Sequence, residues 1–257
     1  MNRLRWLDAL KGIGIILIMV SHSFVIPYLG RVLNACFIPL FFISTGYTYS
    51  KKGIKKYLTD KINRLLIPYF FYGIVLVILL AVFKYMRSGN ILNNTLFGMI
   101  SLLYSRYCLY PRTANENIRF LANEVSPLWY LTAAFVTSII FEFIPKSNRK
   151  QILFSCIICI TITIWMSFLP VLLPWSLDTA FLGTVFMLFG LLIRRINLEN
   201  LNQKKLVIYC IVIIYILLAY FNPGINISVR EYGKYGVLSI VLTIMSDGEL
   251  QSGITAN

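Results

Sequence analysis

The chain has 257 residues, 58% of them hydrophobic and 13% charged, with a mean hydropathy of +0.74. A soluble domain is about a quarter charged, so this composition excludes a soluble globular fold and predicts an all-α, polytopic transmembrane helical bundle. The net charge of +14 falls on residues between apolar runs, where membrane topology accounts for it and nucleic acid is excluded as the partner.

A bilayer core takes about 20 apolar residues per helix. In chain order the segments of that kind are Leu10–Tyr28, Val32–Tyr49, Leu65–Phe83, Pro127–Ile144, Gln151–Leu169, Ser176–Ile193 and Leu206–Phe221. Val237–Met245 starts an eighth run too short to span. Ile91–Ser105 is apolar but short, and Asn93, Asn94 and Gly98 interrupt it, which fits a helix lying in the interface or re-entering the membrane. About 7–8 spanning or partly spanning helices follow from this reading. Residues 1–245 read as one transmembrane domain and residues 246–257 as a polar C-terminal tail.

Lys/Arg bias sets orientation. With the N-terminus cytoplasmic, the inner segments hold Arg3, Arg5, Lys11, the run from Lys51 to Arg64, Lys146, Arg149, Lys150, Arg194, Arg195, Lys204 and Lys205, or 16 of the 24 basic residues. The alternation is consistent, so the N-terminus is placed inside. The Lys84–Ser126 connection is long and carries Arg87, Arg106, Arg112, Arg119, Glu116 and Glu124 with several tyrosines. It is either a solvated loop or a surface for a sugar or a lipid-linked phosphate.

Cys156 and Cys159 form a C-x-x-C inside an apolar helix, where small packing residues are the expected role rather than redox or zinc chemistry. The scatter of the remaining cysteines and the single histidine leave no metal site in the reading.

Lys11 and that histidine, His22, lie eleven residues apart on the first helix. Eleven residues are close to three turns, so both point the same way with an axial separation of roughly 16 Å. Asp8 lies one turn before Lys11, and Gly12 and Gly14 leave room for a neighbouring helix. An ionisable residue within a span marks a functional site by default; the alternative is a histidine bonded to a carbonyl or resting at the interface. Imidazole, with an unperturbed pKa near 6.5, suits proton transfer from a hydroxyl attacking a carbonyl.

The stretch "WLDALKGIGIILIMVSHS" resembles the first helix of the acyltransferase-3 family of integral-membrane O-acyltransferases. That helix carries a basic residue, usually arginine, and a histidine with ten residues between them. Lys11 and His22 match, with lysine as in the sugar O-acetyltransferase branch that resembles fucose 4-O-acetylases. "IPLFFISTGYTYSKK" resembles the second helix, with Thr45 inserted into its S-G-Y step. "KINRLLIPYF" resembles the R-x-x-R stretch opening the third, with Lys61 and Arg64 at its ends. "PLWYL", "PWSLDTAFLGTVFMLFGLLIRR" and "FNPGINISVREYGKYG" resemble later parts, so the likeness runs from about Arg5 to Gly236.

The resemblance implies a multi-pass protein of the bacterial inner membrane. It implies acetyl-CoA or another acyl-CoA as cytoplasmic donor, and acyl transfer to a sugar hydroxyl of a cell-envelope or lipid-linked glycan. It makes His22 the general base, with Lys11 shaping the donor path or the field around His22. Lys61 and Arg64 are the expected contacts for CoA phosphates, and Ser44, Tyr47 and Trp129 the expected cavity residues. Lys51, Lys52, Lys55 and Lys56 read as contacts to membrane lipid headgroups. Family members continue through further helices, so the chain reads as shortened at its C-terminus. Two other readings stand beside this one: a transporter or flippase of a lipid-linked glycan with His22 as proton relay, and a non-catalytic membrane partner. A transporter should show internal repeats and helices broken near the midplane, and neither is visible.

Overall fold

The structure, a computed structural model, describes residues 5–23, 38–88, 92–106, 108–110, 128–195 and 225–232. The expected segments Leu206–Phe221 and Val237–Met245, the tail 246–257 and, within the Lys84–Ser126 connection, residues 89–91, 107 and 111–126 lie outside these residues. The elements are α1 (Arg5–Ser23), α2 (Ile38–Tyr47), α3 (Ile54–Lys61), a π turn (Ile62–Leu66), α4 (Ile67–Ser88), α5 (Leu92–Tyr104), α6 (Trp129–Phe143), α7 (Arg149–Ser167) and α8 (Leu177–Arg195). A two-residue antiparallel pairing, Ile225–Asn226 with Glu231–Tyr232, closes a small hairpin around a 3-10 turn. The described chain is otherwise helical.

Among the described residues three helical stretches are long and apolar enough to cross a membrane: Ile54–Phe83, Arg149–Ser167 and Pro174–Arg195. The first differs from the sequence expectation. Its charged opening was read as part of a loop, yet α3 runs through the π turn directly into α4. Pro68 explains the π turn. Proline has no N–H to offer the carbonyl of Arg64, four residues earlier, and its ring would clash with that carbonyl. A wider turn, in which Ile67 N–H donates to the Ile62 carbonyl, relieves both problems. Helix α6 is shorter than expected at 15 residues, because Pro145 forces Ile144 into an extended conformation that ends the helix. Ile91–Ser105 is resolved as α5, packed back along α4, where Leu102 fills the space at Gly73 and Val77 that at Gly98.

Helix α8 is the centre of the described bundle. Apolar residues around its whole circumference, among them Leu182, Val185, Phe186, Met187, Leu188 and Leu191, are buried against α2, α6 and α7. A helix apolar on every side is a buried helix. Helices α2 and α8 touch backbone to backbone. A Cβ at Gly46 would lie 1.9 Å from the Met187 carbonyl oxygen, and one at Gly190 would lie 2.0 Å from that of Ile43. With no side chain at either position the two backbones can approach this closely, as small residues allow in membrane helix pairs. On α4 the side chains of Phe71, Ile74, Ile78, Leu79, Val82 and Phe83 are exposed, a face suited to lipid.

The ends of the helices fall into two groups. At one end Arg194 donates to the Tyr49 carbonyl, Arg195 donates to Lys146 O at 2.6 Å and Ser147 O at 3.2 Å, and Arg149 donates to Arg195 O. The segments after α2, after α6 and at the end of α8 therefore meet, as the charge alternation requires of loops on one side. This is the basic end. The opposite end gathers the segment after α5, the α7–α8 connection and the small hairpin.

Candidate active site

Lys11 and Lys61, fifty residues apart in sequence, are brought into electrostatic reach of each other. Lys61 is half-buried at the last residue of α3 and cap of the π turn, with Arg64 exposed on that turn. The charges of Arg64, Lys11 and Lys52 all bear on Lys61, with Asp60 opposing them. Asp60 is itself bridged to Lys52 at 2.7 Å. Asp8 faces Lys11 one turn away, as the spacing predicts. The result is a knot of positive charge at the basic end, formed by two helices, that is only partly neutralised. Like charges held together repel, and an arrangement of this kind is suited to a polyanion.

His22 lies on the last turn of α1, and the description of it covers the helical backbone only. The uninterrupted helix from Lys11 to His22 supports the roughly 16 Å rise read from the spacing. Gly12, expected to admit a neighbour, has nothing within 4 Å of its Cβ position among the described residues, whereas Gly14 is buried.

Ser44 is fully buried and its hydroxyl donates to Phe41 O of its own helix at 2.9 Å. Thr45 and Thr48 turn back on α2 in the same way. Tyr47 and Trp129 are half-buried against the main core. They do not come together: Tyr47 is at the basic end of α2, and Trp129 opens α6 at the opposite end, about 20 Å along that helix from Glu142. The two ends of the bundle thus each hold part of the expected set.

Several residues were missed by sequence reasoning. At the basic end Tyr49 Oη donates to Glu142 Oε2 at 2.9 Å. Lys146 Nζ donates to the carbonyls of Phe141, Glu142 and Ile144 at 2.7, 2.8 and 3.2 Å, capping α6, and sits over the rings of Tyr49 and Phe141. Burial pushes its pKa below the usual lysine range, the charge of Lys51 adds to this and Glu142 opposes it. At the other end Asp178 is fully buried between two arginines. Arg106 Nη2 donates to Asp178 Oδ1, and Arg230 Nε lies 3.2 Å from Oδ2, an ion contact without hydrogen-bond alignment. The remaining arginine donors go to carbonyls: Leu173 and Ser228 for Arg106, and Met166, Leu169 and Val171 for Arg230. The non-glycine residues with positive φ among those described, Ser105, Trp175, Ser176 and Arg230, all lie in this region. An Asp at the start of an apolar helix was the signal that could have flagged it.

Cys156 and Cys159 are free thiols, half-buried and buried, on α7. Among the described residues no group of three or more His, Cys, Asp or Glu is placed to hold a metal ion.

A family model described as an acyltransferase domain, acyltransferase-3, matches residues 4–246. No curated protein and no solved structure matches the chain. The family match covers nearly the whole sequence and starts at the helix bearing Lys11 and His22. The chain therefore belongs to the acyltransferase-3 family of membrane acyltransferases, enzymes that transfer acyl groups other than aminoacyl groups.

Proposed function

We propose that this enzyme moves an acyl group, acetyl in the first instance, from acetyl-CoA to a sugar hydroxyl of a cell-envelope or lipid-linked glycan. In this reading it is a multi-pass protein of the bacterial inner membrane with its N-terminus in the cytoplasm, in the branch that resembles fucose 4-O-acetylases. The basic end faces the cytoplasm, where the donor is made. The observation that carries the reading is the convergence of Lys11, Lys61 and Arg64 at one end of the helix that also bears His22. CoA is a polyphosphate, and ammonium and guanidinium groups are the side chains that bind phosphate best.

His22 is the general base. Its imidazole takes the proton of the sugar hydroxyl as the oxygen attacks the thioester carbonyl. The tetrahedral intermediate collapses, the C–S bond breaks, and the imidazolium returns the proton to the departing sulfur. The ester and free CoA result, with atoms and charge balanced. Lys11 shapes the field between the phosphate-binding end and His22. Tyr47 and Trp129 border the path near its two ends, and Ser44, buried and bonded to Phe41 O, supports α2 rather than acting as a nucleophile.

The test is acetyl-CoA binding to the full chain in lipid nanodiscs. Loss of Lys61 or Arg64 removes a charge-assisted contact of about 1.5–3 kcal/mol, so Lys61→Ala and Arg64→Ala should each weaken binding by about tenfold or more. Acetyl-CoA lacking its 3′-phosphate should bind more weakly to the unmodified chain. Equal affinity across all of these would contradict the donor site.

A further inference from the structure

Tyr57 lies on α3, four residues before Lys61, so the two share a helix face. The face is the inward one: Tyr57 is 6% exposed, while Lys55, Lys56 and Thr59 are exposed. Its hydroxyl donates to the Ser138 carbonyl of α6 at 3.3 Å, and its ring meets that of Tyr49 edge-on at 6.3 Å. Lys61 Nζ stands 5.3 Å from the centroid of the Tyr57 ring. A pair of touching rings with a cation at each end results. Lys61 is over Tyr57, Tyr57 is against Tyr49, and Lys146 is over Tyr49, whose hydroxyl is held by Glu142.

Lysine is a flexible point charge on a four-carbon stem, and the like charges of Lys11, Lys52 and Arg64 bear on this one. The ring holds it against that repulsion. Its negative π face attracts the ammonium, and the ring cannot swing because α6 holds its hydroxyl and Tyr49 its edge. The π turn begins at the next residue, so the backbone below Lys61 is re-phased while the side chain stays pinned to the α3 face. Asp60, the carboxylate whose charge bears on Lys61, is bridged to Lys52. Lys61 is therefore held in place by a neutral group, which leaves its positive charge for a ligand.

We infer that Tyr57 is a positioning residue for the acyl donor: its ring fixes the Lys61 ammonium at the CoA-phosphate site without neutralising it. This rests on the donor reading of Lys61 proposed above. The buried Arg–Asp–Arg group offers no comparable site, because its described donors are bonded to Asp178 and main-chain carbonyls, and Arg230 Nε, without a hydrogen bond, is in ion contact with Asp178.

The experiment is a cycle of acetyl-CoA affinities on the full chain in nanodiscs. Tyr57→Leu should weaken binding about fivefold or more, and Tyr57→Phe, which keeps the ring, should restore most of the loss. In a Lys61→Ala background Tyr57→Leu should have no further effect, which is the signature of two residues acting through one contact. Pentafluorophenylalanine at position 57 keeps the size of phenylalanine and inverts the ring quadrupole. It should weaken binding relative to Tyr57→Phe even where the leucine variant does not fold. Equal affinity of the phenylalanine and pentafluoro variants, or the same Tyr57→Leu penalty with and without Lys61, would overturn the inference while leaving the donor site standing. If Lys61→Ala alone leaves acetyl-CoA affinity unchanged, the donor reading itself fails and this inference goes with it.

Discussion

Asp178 and Arg106 form an ion pair with side chains 0% and 1% exposed, joining the start of α8 to the segment after α5. Arg230 approaches the second carboxylate oxygen, and the Leu173 and Thr179 N–H groups also donate to Asp178. One carboxylate thus ties together the end of α5, the α7–α8 connection, α8 and the hairpin. Buried pairs are costly to assemble and more costly to break, since removing one partner strands the other charge. Asp178→Asn leaves two buried arginines facing each other and should cost about 3–5 kcal/mol. Thermal unfolding of purified protein in detergent measures this, with a large fall in midpoint expected. An unchanged midpoint would show the pair to be dispensable.

The α2–α8 crossing makes a sharper test because the obstruction is backbone. At Gly46 and Gly190 an added Cβ meets carbonyl oxygens of the facing helix at 1.9 and 2.0 Å, so the helices must separate. Overpacking of this kind costs about 1–3 kcal/mol or more. Gly46→Ala and Gly190→Ala should both lower the unfolding midpoint, whereas Gly12→Ala, with open space around it, should leave it unchanged or slightly raised by better helix propensity.

Lys146 caps α6 through three carbonyls while lying over two rings. Lys146→Met keeps the stem and removes the ammonium. A loss of about 1–2 kcal/mol is expected, below the full value of charged hydrogen bonds because the site is half-exposed. The pH dependence has a defined sign. The native pKa lies below the 10.5 of a free lysine, so in that window the unfolded chain binds more protons than the folded one and stability rises with pH. The methionine variant should lack this alkaline rise in unfolding experiments run at several pH values.

Much of the architecture was readable where a local rule operates. The eleven-residue spacing of Lys11 and His22 needs only helical geometry, and α7 and α8 stand close to their expected segments. The basic segments after α2, after α6 and at the end of α8 meet at one end, as segments on one side must. Readings failed where distant residues decide. The third helix was read as opening near Lys61, and the structure extends it back to Ile54, with Tyr57 packed on α6. Arg106 was read as part of a connection that is either a solvated loop or a recognition surface, and its partner Asp178 lies 72 residues away. The electrostatic reach between Lys11 and Lys61 likewise comes from packing, since no spacing in the sequence encodes it. Trp129 and Tyr47 were named together as cavity residues on the family resemblance and lie at opposite ends.

The central claim is acyl transfer with His22 as base. The most direct measurement is movement of labelled acetyl from acetyl-CoA to glycan in membranes carrying the chain or its His22→Ala variant, with insertion of both verified. Label should appear with the unmodified chain and fall at least about a hundredfold with His22→Ala, the usual scale of a lost general base. Transfer that persists unchanged in a correctly inserted His22→Ala protein would contradict the mechanism.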